Sequence, residues 1–244
     1  MGKLVVLNPG HYMPNDPGAC ANGIKEAEVC EIIVAKMVAW SASHGFEAVV
    51  VREWPLADIV TKANAYKQAV LFYSVHCNAG GGTGYEDYCV DSSVAANQIR
   101  AVIRKQVVAY MAANGFRDRG AKAANFYVIK YTNAPAILTE NLFVDTAADA
   151  KALKDDKFLD GLALSHVKGI AEALCTLGQP IDKEDNDVIR YEKATDVPEW
   201  GRVTINKLIS NGVLAGDGTG KIDVSEDMLR VLVINDRMGL YGKE

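Results

Sequence analysis

Short apolar runs rich in β-branched and aromatic residues alternate with longer segments of helical periodicity through residues 1–178, and this rhythm constrains the fold more than any other feature. Residues 3–7, 48–52, 70–76, 126–129 and 136–138 read as strands, with helices over 25–44, 56–68, 92–114 and 156–177. Gly45 and Gly115 stand where helices stop. Such alternation predicts an α/β class, a mostly parallel twisted sheet flanked by helices. At 244 residues and 49% hydrophobic, the chain has enough apolar material for a substantial core of that kind.

After residue 177 the texture changes. GQPIDKEDNDVIRYEKAT is polar and lacks apolar periodicity over most of its length, which predicts a linker over 179–195 between a domain of residues 1–178 and a small, mainly helical domain of 196–244. Pro198 suits the first turn of a helix, Gly212 its stop, and Ser225, followed by Glu226 and Asp227, the cap of the next. Ile205, Leu208 and Ile209 can share an apolar face with Val231, Leu232 and Ile234. So small a core predicts association with a partner or self-association, a homodimer through the C-terminal segment.

The net charge of −5 argues against a phosphate-tracking nucleic-acid binder, which normally shows a basic face. No apolar run approaches the roughly 20 residues needed to cross a bilayer, so no membrane insertion is expected, and the N-terminus carries no mark of a secretory signal. Five cysteines without a CxxC fit neither a disulfide framework nor a four-cysteine zinc site, and suit a reducing cytoplasm.

The stretch NPGHYMPNDPG puts His11 just past the first strand, at the rim where open α/β sheets hold ligands. Taken alone, it reads as a loop histidine with solvent or backbone partners. Glu26 changes the balance, because on a helix it shares an apolar stripe with Val29, Cys30, Ile33, Met37 and Trp40 while Glu28 and Glu31 point away. A carboxylate aimed into a core needs a cationic side chain, a proton or a metal. His44 lies on the same stripe but roughly 27 Å along the helix, and belongs with the free carbonyls of the last turn. His76 closes the strand YSVHCN, with Ser74 and Asn78 on its own side and Cys77, a packed thiol, on the other. His166 follows no strand end and reads as structural or exposed. Two strand ends and a helix start thus bring two imidazoles and one carboxylate to one rim. That is the donor set of a catalytic zinc site, with a fourth position left for water. Glu140, at the end of PAILTEN, is either the base of such a site or a carboxylate orienting one of its imidazoles.

GHYMPNDPGACANGIKEAEV, SVHCNAGGGTGYEDY and RGAKAANFYVIKYTNAPAILTENLF occur in that order. Together they resemble the zinc-dependent N-acetylmuramoyl-L-alanine amidases of the amidase-3 type, over residues 3–177. The resemblance implies hydrolysis of the amide between the lactyl group of N-acetylmuramic acid and the first L-alanine of the peptidoglycan stem peptide. It also implies zinc ligands His11, Glu26 and His76 and a catalytic Glu140. Residues 12–15 depart from the family's small-residue spacer, and Cys77 stands where an aliphatic, aromatic or small residue is more usual. Gly84 and Glu86 match the family's strand after the second zinc histidine, and Arg119, Gly120 and Lys122 its RG-x-K stretch. Residues 80–84 read as a flexible rim loop, and Asn78, Glu86, Arg119 and Lys122 are expected to place the substrate. The tail resembles the short C-terminal segments of Gram-positive phage and prophage endolysins and, more loosely, half an S-layer-homology module. The expectation is an endolysin made in the host cytoplasm without a signal peptide and acting on the cell wall after release. A zinc peptidase or deacylase on another wall amide, and a host autolysin, are the competing readings.

Overall fold

A computed structural model describes residues 3–177 and 190–214 and, beyond them, Lys221, Ile222, Val224, Ser225, Met228, Leu229, Leu232, Val233, Asp236 and Tyr241. The chain divides into two compact units, Met1–Pro180 and Ile181–Glu244. The first begins with β1 (Lys3–Pro9), a small β2 (Cys20–Ala21) and β3 (Ile24–Lys25) hairpin, α1 (Glu26–Ser41), β4 (Phe46–Val50), α2 (Leu56–Ala65) and β5 (Ala69–Asn78). It continues through β6 (Tyr85–Cys89), α3 (Val94–Ala113), β7 (Asp118–Ala123), α4 (Tyr127–Tyr131), β8 (Ala136–Phe143), α5 (Ala147–Leu153) and α6 (Asp156–Leu177).

One sheet of six strands, in the order β4-β1-β5-β8-β6-β7, organises this unit; its neighbours are parallel except β6 and β8. Because β4 and β5 flank β1 on opposite sides, the chain reverses its direction of growth there, and a crevice opens at the carboxyl ends of β1 and β5. Alternation along the strands supplies two cores. Val5, Leu7, Leu71, Tyr73 and Val75 pack with α1, α3 and α6 on one face, whereas Val6, Phe72 and Leu138 pack with α2 and α4 on the other.

Four of the five expected strands are present, and residues 126–129 are the exception. There Val128 and Ile129 are buried while Phe126, Tyr127 and Tyr131 are exposed, the pattern of one short helical turn laid against the sheet. A four-residue apolar run cannot separate strand from buried helix by periodicity, and tertiary packing chose helix. Two further strands lack the apolar run that marks the others. β6 buries Glu86 and Asp87, and β7 is a polar edge strand, DRGAKA. On α1 the stripe from Glu26 to Met37 is buried as expected, but Trp40 is exposed. His44 ends the following helical turn, its Nδ1 2.8 Å from the carbonyl of Trp40, which also accepts from Ser43 Oγ.

In the second unit β9 (Arg190–Tyr191), within the stretch read as a linker, pairs antiparallel with β10 (Val224–Ser225). Between them α7 (Glu199–Ser210) starts directly after Pro198 and ends before Gly212, whose φ of 68° suits a glycine stop. Val197, Ile205, Val224, Leu229 and Val233 form a small core. Ile205 and Leu208 are buried and Leu232 packs against that core, but Ile209 is exposed. Ser225 lies in β10; Glu226, Asp227, Val231 and Ile234, named for the expected cap and apolar face, lie outside the described residues.

Candidate metal centre and active site

His11, Glu26 and His76 each offer one donor atom within 4.8 Å of the others, the one such cluster of metal-ligating side chains among the described residues. Their origins explain the convergence. His11 follows β1, His76 lies near the end of β5, and Glu26 opens α1, so all three reach the crevice where the sheet reverses. His11 sits at a φ of 67°, an uncommon region for a non-glycine side chain, which turns its ring back toward the sheet. Glycines make room: a Cβ on Gly10 would come within 2.4 Å of the His76 ring, and one on Gly18 within 2.8 Å of Glu26 Oε2.

The Glu26 carboxylate is 4% exposed and engaged on both oxygens. Oε2 lies 3.0 Å from His11 Nε2 and accepts from the Ala19 amide, while Oε1 lies 3.2 Å from His76 Nδ1 and accepts from the Cys77 amide. Behind His11, Asp16 Oδ2 stands 2.9 Å from Nδ1, which fixes the ring and leaves Nε2 facing the centre. Burial works against charge at His11, but Glu26 and Asp16 outweigh it and lift His11 to about 9. Burial likewise opposes charge on Glu26, yet the bonds from His11 and His76 hold it at about 2. Such a negative field, with nitrogen and oxygen donors already converged, fits a divalent cation of zinc type. Asp16 was legible only as loop punctuation; its spacing five residues after His11, in DPG, was the signal for its orienting contact.

Glu140, on β8, is the register partner of His76 on β5 and of Glu86 on β6. Its Oε2 is buried without a hydrogen-bond donor. Burial, then the charges of Glu26 and Glu86, lift its carboxyl to about 8. A cation on the neighbouring cluster would pull that value back down. The carboxylate bonded to an imidazole Nδ1 from behind is therefore Asp16, whereas Glu140 has a free oxygen beside the cluster.

Of the four residues expected to place substrate, Asn78 lines the cleft beside His76 and Glu140. Glu86 turns inward: Oε1 accepts from Asn78 Nδ2 at 2.8 Å and Tyr88 OH at 2.7 Å, and Oε2 accepts from Arg119 Nε and Lys122 Nζ, each at 2.5 Å. Burial raises the Glu86 carboxyl, but Lys122, Tyr88 and Arg119 bring it down to about 2. Glu86 thus holds Arg119, Lys122 and Asn78 in place. The rim loop 80–84, expected to be flexible, is tied down instead. Asp145 accepts from the amides of Gly80 and Gly81, and buried Asp149 from Thr83, Gly84 and Phe143.

His166 is wholly buried, the structural alternative rather than the exposed one. Its Nδ1 lies 2.7 Å from Tyr73 OH and its Nε2 2.9 Å from Asn141 Oδ1. Cys77 is buried and packs against Cys30, the packed thiol expected of it.

Residues 5–172 match the family model described as N-acetylmuramoyl-L-alanine amidase, the amidase-3 type. The chain belongs to this family. It is 42% identical over 183 residues to the endolysin of Bacillus phage SPP1, covering 71% of this chain and 67% of that protein. It is 34% identical over 176 residues to the sporulation-specific N-acetylmuramoyl-L-alanine amidase of Bacillus subtilis, covering 69% and 67%. Among solved structures, the catalytic domain of the amidase CwlV from Bacillus (Paenibacillus) polymyxa superposes with a TM-score of 0.65 at 29% identity, covering 71% of this chain and 98% of that one. As an amidase-3 protein, the chain is a peptidoglycan amidase, and its mixed sheet with flanking helices is the family's architecture.

Proposed function

We propose that this amidase is zinc-dependent and works as an endolysin, with His11, Glu26 and His76 holding the metal and Glu140 exchanging protons. The convergence of those three donors at the sheet's reversal point carries the reading. When bound, the ion would supply Lewis acidity to the scissile carbonyl and the attacking water. Asp16 keeps the His11 ring in orientation. Glu140 Oε2 takes the proton of the attacking water and delivers it to the leaving alanine nitrogen, so the lactyl carboxylate and a free amine result. Its buried, donor-free oxygen near the cluster suits both halves of that transfer. Asn78 meets the substrate from the cleft wall, and Arg119 and Lys122, held by Glu86, face the carboxylates of the stem peptide.

The endolysin assignment draws on the 42% identity to the phage SPP1 protein, above the 34% to the sporulation amidase. In this reading the protein is made in the host cytoplasm and reaches the wall on release, and its C-terminal unit attaches to the wall or pairs two copies. The deciding experiment digests purified cell walls with metal-loaded protein and identifies the products. New N-terminal alanine that disappears after chelation and returns with zinc is the expected outcome. Cuts between amino acids would instead indicate a peptidase.

A further inference from the structure

The cleft that holds the metal-ligand cluster has a volume of about 510 Å³ and extends well beyond it, between the starts of α2 and α4. Trp54 stands just before α2 and Phe126 just before α4, with Leu56 and Tyr127 in their first turns. All four are 42–48% exposed, whereas Ile59, Val128 and Leu138 beneath them are 4–5% exposed. The Phe126 ring is braced edge-on by Tyr88, centroids 5.0 Å apart. Four large apolar side chains kept open on a rigid floor, contiguous with a reaction centre, mark a binding surface.

The charges of the cleft select its occupant. Its ionisable lining consists of the two histidines with Asp16, Glu26, Glu53 and Glu140, and contains no lysine or arginine among the described residues. The substrate has two sides. The stem peptide carries free carboxylates, which these acids repel and which Arg119 and Lys122 on β7 suit instead. The glycan is uncharged apart from its lactyl group, consumed in the scissile amide, and its pyranose rings present C–H faces that stack on aromatic rings. Only the ether oxygen and the lactyl carbon separate the muramic acid ring from the scissile carbonyl, so a ring on this wall adjoins the centre.

We propose that Trp54, Leu56, Phe126 and Tyr127 form a glycan subsite that stacks an N-acetylhexosamine ring of the strand being cut, the peptide leaving toward Arg119 and Lys122. The proposal rests on the amidase reading, and its test separates the two. Two soluble substrates are compared, a disaccharide bearing the stem peptide on muramic acid and the same peptide carrying a lactoyl group without sugar. Wild type should favour the sugar-bearing substrate in kcat/KM, and Trp54→Ala should lower that preference about tenfold, a change typical of one lost aromatic contact in a binding cleft. Tyr127→Ala provides a second probe if Trp54→Ala folds poorly, and Trp54→Phe should restore most of the preference. A tetrasaccharide of N-acetylglucosamine, which has the N-acetylhexosamine rings without lactyl carboxylates, titrated calorimetrically, should bind wild type and lose affinity in Trp54→Ala. A substrate preference and tetrasaccharide affinity unchanged in both alanine variants would overturn the subsite. Failure of wild type to free the alanine amino group of the peptide in either substrate, with tetrasaccharide binding still dependent on Trp54, would overturn the amidase reading and leave the subsite standing.

Discussion

Glu140 and His76 are register partners on the adjacent parallel strands β8 and β5, so both side chains reach the same cleft. Sheet geometry therefore positions the proposed proton carrier relative to the proposed metal ligands. Glu140→Gln keeps the shape and removes the exchangeable proton. Turnover should fall by about 10²–10⁴-fold, the usual contribution of a positioned acid-base group, with bound zinc unchanged by elemental analysis. Activity near wild type would remove Glu140 from the mechanism.

Asp16→Ala removes the carboxylate behind His11 without touching a proposed ligand. Zinc affinity, read by competition with a chromophoric chelator, should weaken about 10–100-fold, as it does when such orienting partners are lost. An unchanged affinity would mean that the αL backbone at His11 orients the ring by itself.

His166 makes the fold sensitive to acid. Burial lowers it to about 3, whereas an unfolded histidine titrates near ~6.5. Between those values the unfolded chain binds the extra proton, so stability is greatest above about pH 6.5 and declines as pH falls toward 3. In His166→Gln the amide can accept from Tyr73 and donate to Asn141, and the titration is gone. Its melting temperature should fall less steeply than that of wild type between pH 6.5 and 4. His166→Leu, leaving Asn141 and Tyr73 short of partners, should cost about 1–3 kcal/mol at neutral pH, measured by denaturant melts. Parallel pH slopes for wild type and His166→Gln would exclude His166 as the source.

Asp149 holds the rim loop with bonds to Thr83, Gly84 and Phe143. Asp149→Ala should loosen residues 80–84 and expose the backbone there to proteolysis. Limited digestion followed by mass spectrometry should find cuts in this loop at protease levels that leave wild type intact. Absence of new cuts would assign the loop's order to Asp145 and to Thr146, whose hydroxyl donates to the Gly82 carbonyl.

Ending the chain after Gly178 removes the second compact unit. Hydrolysis of soluble muramoyl peptides should persist, while sedimentation with intact walls, or the apparent mass in light scattering, should drop. If neither changes, the second unit is a passive appendage.

The sequence by itself determined the α/β rhythm, the rim placement of His11 and His76, and the inward aim of Glu26, because those follow from local periodicity and strand ends. The buried charge of β6 escaped it. Glu86 and Asp87 sit in β6 because Arg119, Lys122 and Arg104 come from distant elements to neutralise them, and no hydrophobic pattern records that pairing. The turn over 126–129 became helix because α2 and the sheet covered Val128 and Ile129. Between His76 and Asn78 the β5/β8 register shifts, with Leu142 at a φ of 67° and Asn141 Nδ2 donating to the His76 carbonyl. Such a bulge depends on which strand lies alongside and on His166 bonding Asn141 from α6, so only the tertiary structure could decide it.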